Sequence, residues 1–87
     1  MHERSLLRGL MRQIDRVART EHATRVEEVR LRLGALAHIS ADHLREHFEQ
    51  ASCGTVAEGA RLVIEVGRDV SEEGAQDIRL ESLVVEE

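Results

Sequence analysis

Apolar residues recur at helical spacing over the first twenty positions of the chain, and the opposite side of the same segment is rich in arginine. A repeat of about 3.6 residues with one apolar side is typical of an amphipathic helix that packs on a core. We therefore predict a helix over about residues 3–20, with an arginine stripe that is either solvated or faces an acidic partner. The apolar set is Leu6, Leu7, Leu10, Met11, Ile14, Val17 and Ala18, and the arginine stripe is Arg4, Arg8, Arg12, Arg16 and Arg19.

A period of two replaces the helical spacing from about Arg25. Val29, Leu31 and Leu33 alternate with charged residues until Gly34 interrupts the run. Alternation of this kind places every second side chain on the same face of an extended chain. The segment is therefore predicted to be a half-buried strand that ends at the glycine.

A second helix is predicted after a short connection. Ser40 is a favourable N-cap, because its hydroxyl can accept a hydrogen bond from the first turn. Leu44, Phe48 and Ala51 then form an inner apolar stripe, and Cys53-Gly54 ends the helix, since glycine commonly follows a helix end. Phe48 is the only aromatic residue of the chain, and we expect it to anchor the core.

Two further strands are predicted, at Ala60–Val66 and at about Ile78–Val85. The polar segment 67–76 between them begins with Gly67 and contains Gly74, and it is predicted to be a short hairpin connection. The fold class is therefore α+β, with two helices on one face of a three-stranded mixed sheet in the order helix, strand, helix, strand, strand. The residues expected to point inward are Leu62, Ile64 and Val66 in the first of these strands, and Ile78, Leu80 and Val84 in the second.

Composition narrows the class of protein. Residues 1–87 suffice for one small domain with a modest core, and we expect a monomer or a weak homodimer. A net charge of −5 and the lack of Trp and Tyr argue against nucleic-acid binding. Arginines interrupt the only candidate leader, and no apolar run approaches a membrane span. The single cysteine, Cys53, excludes an internal disulfide framework, which fits a cytoplasmic location.

The start Met1-His2-Glu3 brings an α-amine and an imidazole together at the beginning of the first helix. With the intervening backbone amides, these groups form fused chelate rings around one ion. Nickel(II) or copper(II) suits an all-nitrogen, square-planar ligand set, whereas zinc prefers tetrahedral nitrogen and sulfur ligands. The alternative is that His2 is an ordinary residue of a solvated terminus.

Other candidate chemistry is weaker. His43 and His47 lie four residues apart on the second predicted helix and could chelate a metal together, although an ordinary half-exposed pair is the favoured interpretation. Cys53 follows a helix end, which does not activate a thiol, and we expect it to be at least semi-buried. The sequence contains no recognisable pattern for a nucleophile, a base or a cofactor site. The chain is therefore predicted not to be an enzyme.

Taken in order, these segments resemble the HypA/HybF family of nickel-insertion proteins, which serve the maturation of nickel–iron hydrogenases and sometimes of urease. The resemblance implies that the N-terminal amine and His2 bind nickel(II), with Glu3 as a neighbour whose backbone amide or side chain completes or supports the site. It also implies a HypB-type GTPase and an immature hydrogenase large subunit as partners. The match is carried by Met1-His2-Glu3 with Ser5-Leu6, by residues 29–36, by the turn Gly54-Thr55-Val56-Ala57-Glu58-Gly59-Ala60 and by the ending at residues 80–86.

One departure from the family pattern concerns zinc. Family members carry an inserted zinc domain with two Cys-x-x-Cys pairs between the last two strands, where this chain has only the loop at residues 67–76. A structural zinc needs four protein ligands, and the loop contains neither Cys nor His. We therefore expect a single nickel-binding domain over residues 1–87 without structural zinc. The alternative function is a shortened relative that acts as a protein-interaction module and handles no metal.

Overall fold

Residues 3–86 form two helices and three strands in a computed structural model, which describes side chains from residue 5 onward. The predicted order of elements is confirmed, and the boundaries agree to within two residues except at the end of the second helix. The elements are α1 (Glu3–Thr20), β1 (Arg25–Leu33), α2 (Ala41–Ala51), β2 (Arg61–Val66) and β3 (Ile78–Glu86).

β1 is the central strand of the sheet, whose order is β2-β1-β3. β1 pairs with β2 in parallel and with β3 in antiparallel orientation, so the predicted mixed sheet is confirmed. The predicted hairpin between the last two strands is wrong, because both strands pair with β1 instead of with each other. Leu33 lies opposite Val66 on one side and Ile78 on the other, so the connecting segment crosses the end of β1 from one sheet edge to the other.

The apolar core lies between the two helices and one face of the sheet. The side chain of Phe48 is only 1% exposed, which confirms its predicted place at the centre of the core. β1 has the deepest side chains, because it is covered by strands on both edges and by helices on one face. The main buried set is Leu7, Leu10, Ile14 and Ala18 of α1, Val26, Val29, Leu31 and Leu33 of β1, and Leu44 and Phe48 of α2.

A β-bulge changes which side chains of β3 face the core. Arg30 lies opposite Ser82 while Leu31 lies opposite Leu80, so Glu81 is an extra residue on β3. An extra residue reverses the alternation of side chains beyond it. The prediction that Val84 points inward is therefore wrong: Val84 is 46% exposed, and its neighbours in the strand pack against the core instead.

The inward prediction for Val66 is also wrong. This residue ends an edge strand and is 52% exposed, because the apolar cluster does not extend to it. Leu62 is buried and Ile64 packs against the core, as predicted.

Local hydrogen bonds and backbone conformation define where the helices start and end. The hydroxyl oxygen of Ser40 accepts a hydrogen bond from the backbone N–H of His43 at 3.1 Å, which confirms the predicted N-cap. α2 ends at Ala51 with Ser52 as its C-cap, earlier than predicted. At the end of α1, His22 adopts a left-handed conformation (φ 54°), and the N–H of Ala23 donates to the carbonyl of Ala18 at 2.9 Å. This arrangement is a Schellman-type helix end.

Candidate metal centre

The predicted nickel ligands stand at the start of α1. Met1 and His2 lie outside the residues that the structure describes, and Glu3 is the first residue of α1. The first backbone N–H groups of a helix have no acceptor within the helix. Since α1 begins at Glu3, the backbone N–H of Glu3 has no acceptor within the helix.

A groove lies beside the first turns of α1. It has a volume of about 340 Å³ and is lined by Leu6 together with Leu36, Ala37, His38, Gln76 and Asp77. His38 is exposed and has a left-handed backbone conformation, with φ 59°. A non-glycine residue in this conformation costs on the order of 1–3 kcal/mol and persists only where its surroundings impose it. His38 was not singled out from the sequence, because nothing in the local pattern predicts a positive φ at that position.

The two histidines of α2 lie side by side. The ring centroids of His43 and His47 are 4.6 Å apart, and the ring planes meet edge to face at 80°. His43 is exposed and His47 is half-buried. Within residues 3–86, the described side chains form no cluster of three or more His, Cys, Asp or Glu residues suited to a metal ion. Among the described residues, the two histidines of α2 are thus a pair and not part of a larger cluster of this kind.

Cys53 is exposed, so the prediction of a semi-buried thiol is wrong. The helix stops at Ala51, which carries Cys53 onto the outer turn instead of the inner side of α2. Its sulfur lies 3.3 Å from the backbone carbonyl oxygen of Glu49, to which the thiol donates. This contact leaves the thiol at the rim of a surface groove between α2 and the start of β2.

The arginine stripe of α1 is exposed as predicted for Arg8, Arg12, Arg16 and Arg19. Only Arg19 has an acidic partner among the described side chains: its Nε lies 2.9 Å from a carboxylate oxygen of Asp15. Arg8, Arg12 and Arg16 have no ion pair with any side chain in the described range. The stripe is thus a cationic surface on a chain of net negative charge.

The segment between β2 and β3 is fastened to the sheet by Arg32. The guanidinium donates two hydrogen bonds to the carboxylate of Glu72, at 3.1 and 3.0 Å, and one to Glu65 of the neighbouring strand at 2.7 Å. The hydrogen bonds and charge of Glu72 raise the pKa of Arg32. Such paired, charge-assisted hydrogen bonds fix geometry as well as adding energy. Residues 67–77, the crossover from β2 to β3, therefore have a defined position against β1.

Neither helix in the described range has both the length and the apolarity that crossing a membrane requires.

The geometry is that of a small α+β domain in which two helices cover a mixed three-stranded sheet. A family model described as "Hydrogenase/urease nickel incorporation, metallochaperone, hypA" matches residues 1–72. The chain therefore belongs to the HypA family.

Relatives of known role support this membership. The hydrogenase maturation factor HypA of Methylocella silvestris is 42% identical over 66 residues, which cover 76% of this chain and 58% of that protein. The factor of the same name from Archaeoglobus fulgidus is 43% identical over 68 residues, covering 78% of this chain and 62% of that protein. The chain thus spans less than two thirds of the length of these relatives.

The fold itself has a solved counterpart. The solution structure of the Ni metallochaperone HypA from Helicobacter pylori aligns with a TM-score of 0.77 at 18% identity, covering 98% of this chain and 97% of that one. At this identity the likeness shows the α+β fold, with the two helices and the mixed sheet described above.

Proposed function

We propose that this chain is a nickel metallochaperone, a non-enzymatic protein that binds nickel(II) and passes it to a maturing nickel–iron hydrogenase. The family match, which starts at residue 1 and includes Met1-His2-Glu3, is the observation that carries the proposal. The partners in this function are a HypB-type GTPase and the immature hydrogenase large subunit. Some members of the family also serve urease, and the same chemistry would supply that enzyme. We assign the process to the cytoplasm, in keeping with the single cysteine of the chain.

The ligands we propose are the α-amine of Met1, the intervening backbone amides, including that of Glu3, and the imidazole of His2. Four nitrogen donors in fused rings favour the square-planar geometry of nickel(II). Because α1 begins at Glu3, opening the first helical turn exposes the ion without disturbing the buried residues of the core. A terminal site of this kind can therefore hold nickel firmly and still release it to a partner.

Nickel affinity should depend on pH. The imidazole of His2 must be neutral to bind the ion, and amide ligation releases further protons. Affinity is therefore expected to fall as the pH drops below about 6.5, the ordinary pKa of an imidazole.

Titration of the tag-free protein with nickel(II) tests the proposed ligands. We expect the absorbance of a low-spin square-planar complex, and we expect it to disappear in His2→Ala and in a variant with one residue added before Met1. His22→Ala is the matched control, since it removes an exposed imidazole far from the proposed site in sequence. An unchanged spectrum and affinity in the extended variant would exclude the amine as a ligand.

We also propose that this domain holds no structural zinc. The segment 67–76 contains neither Cys nor His, and its place is fixed by the pairing of Arg32 with Glu72. The ion pair holds this segment against β1 through side chains that are not zinc ligands of the Cys or His type. Elemental analysis after dialysis against a chelator is the test, and one retained equivalent of zinc per chain would contradict the proposal.

The second candidate function is a protein-interaction module that handles no metal. It is favoured by the exposed Arg8, Arg12 and Arg16, which have no carboxylate partner within the described range. β2 and β3 also present two open sheet edges. The nickel titration separates the two candidates, because an interaction module would give no square-planar complex at all.

A further inference from the structure

The side-by-side histidines of α2 have the geometry of a bidentate chelate. Side chains four residues apart on a helix have Cβ atoms about 5–6 Å apart and extend over the same side. In the folded chain the rings of His43 and His47 approach to 4.6 Å between centroids, so the two imidazoles already lie side by side. Both rings are on one helix at a spacing of four residues, so a single ion can reach a nitrogen of each.

The charge around the pair favours a cation. α2 carries Asp42, Glu46 and Glu49 against the single cation Arg45. Nη1 of Arg45 donates to the backbone carbonyl of Leu62 at 2.7 Å, which directs its charge toward β2. The helical period places Arg45 on the side of α2 opposite the two histidines. By the same period Glu46 is the carboxylate that adjoins the pair, three residues after His43, and its negative charge favours a divalent ion there.

The spacing of the segment is His-x-x-Glu-His, from His43 to His47. Zinc peptidases use the same spacing on a helix and complete the site with further groups, as catalytic zinc takes three protein ligands and a water. In this fold the described residues gather no third ligand around the pair. The two imidazoles are thus the protein ligands considered for the ion, and a pair of neutral imidazoles suits reversible binding.

We propose that His43 and His47 are ligands of a second binding site for late first-row divalent cations, in addition to the ligands proposed at Met1–Glu3. Neutral imidazole suits nickel, copper and zinc, and the affinity of such nitrogen ligands follows the order copper(II) above nickel(II). Because only two protein ligands are fixed, this site is weaker and exchanges faster than the terminal chelate. It does not depend on the nickel-delivery function.

The test uses the full chain with one residue added before Met1, which blocks the proposed terminal chelate. Nickel(II) is titrated by calorimetry, and the imidazole resonances of all five histidines are followed by NMR. We expect one weak equivalent, with paramagnetic broadening strongest at His43 and His47. The equivalent should be lost in His43→Gln and in His47→Gln. His22→Gln and His38→Gln are the controls and should retain it.

Failure of this site and failure of the terminal site give different results. If the extended protein shows no weak equivalent, or keeps it when His43 is replaced, the second site is excluded. His43 is exposed, so its replacement leaves the core intact and a change in binding reports on ligation. If instead the chain with one residue added before Met1 still binds one nickel(II) ion as strongly as the original chain, the terminal site is excluded. This holds whether or not His43 and His47 bind an ion.

Discussion

The backbone carbonyl of Ala75 lies directly over Gly34 at the end of β1. A Cβ atom added to Gly34 would overlap that carbonyl and would lie 2.8 Å from the carbonyl oxygen of Gly74. The two segments are also joined by hydrogen bonds, since the N–H of Leu36 donates to the carbonyl of Ala75 at 2.7 Å and the N–H of Gly34 donates to Asp77 at 3.0 Å. This close approach is what allows the segment after β2 to pass over β1 and start β3 on the opposite edge.

Replacing Gly34 by alanine should therefore destabilise the fold. Because the obstructing atoms belong to backbone, the crossover must shift, and overpacking of this kind costs about 1–3 kcal/mol of unfolding free energy. Urea denaturation measures the loss. Gly9→Ala is the matched control, because a Cβ on Gly9 meets no atom within 4 Å and alanine in a helix is favoured by up to about 1 kcal/mol. Equal stability of Gly34→Ala and the parent chain would show that the crossover does not press on β1.

Replacing Glu72 by glutamine should loosen the crossover without unfolding the sheet. The change removes the charge that pairs with Arg32, and the backbone amides of residues 67–77 should exchange faster with solvent. Hydrogen exchange followed by NMR or mass spectrometry measures this.

Glu65→Gln is the control for that measurement. Glu65 contacts the same guanidinium at 2.7 Å, but its side chain is 70% exposed against 30% for Glu72, and it belongs to β2 instead of the crossover. If the amides of residues 67–77 exchange equally fast in Glu72→Gln and Glu65→Gln, the contact between Arg32 and Glu72 has no special role in holding this segment. The general charge balance around Arg32 would then set its mobility.

Replacing His22 by glycine should stabilise the protein. The left-handed conformation of His22 costs about 1–2 kcal/mol for a side chain with a Cβ, and glycine removes that cost. Part of the gain, about 0.4–1 kcal/mol, is offset by the greater freedom of glycine in the unfolded chain. Thermal unfolding should show a higher midpoint for His22→Gly than for His22→Ala, which loses the imidazole but keeps the strain. A midpoint for the glycine variant at or below that of the alanine variant would contradict the assignment of strain.

The carboxyl group of Asp69 should titrate below its ordinary range. The hydroxyl of Ser71 donates to it at 2.7 Å and the N–H of Ser71 at 2.9 Å, and these hydrogen bonds lower the pKa of Asp69. A pKa that is lower in the folded than in the unfolded chain stabilises the fold above the unfolded pKa, and this stabilisation disappears as the pH falls through the folded value. Ser71→Ala should raise the pKa of Asp69 only partly, because the backbone donor remains.

Titration of the Asp69 carboxyl carbon by NMR, in the parent and in Ser71→Ala, measures this change. Ser82→Ala serves as the control, since Ser82 lies on β3 and makes no contact with Asp69 among the described hydrogen bonds. The same pKa for Asp69 in the parent and in Ser71→Ala would show that the hydroxyl does not set it.

Much of this fold could be predicted from local pattern. The apolar repeat of Leu7, Leu10 and Ile14 identifies α1, and the alternation of Val29, Leu31 and Leu33 identifies β1, because each pattern matches the period of one backbone conformation. The chemistry of Ser40 fixes the start of α2 for the same local reason. Met1, His2 and Glu3 were predicted from sequence to be metal ligands, and this assignment stays a prediction.

The pairing of strands could not be predicted in this way. Alternation in β2 and β3 identifies each as a strand but does not say which neighbour it takes, and short sequence separation favoured a hairpin that the molecule does not form. The bulge at Glu81 likewise could not be predicted from local pattern. It exists only in the register between β3 and β1, and it reverses the predicted side of Val84.

The sequence by itself determined the helices and strands of this protein and the cap of its second helix, because these depend on groups close together along the chain. Only the tertiary structure decided that the segment after β2 crosses over Gly34, that Arg32 ties Glu72 to the sheet and that Val84 faces outward. These features depend on groups brought together from distant parts of the chain, and the packing of the whole core selects among the arrangements that local pattern leaves open.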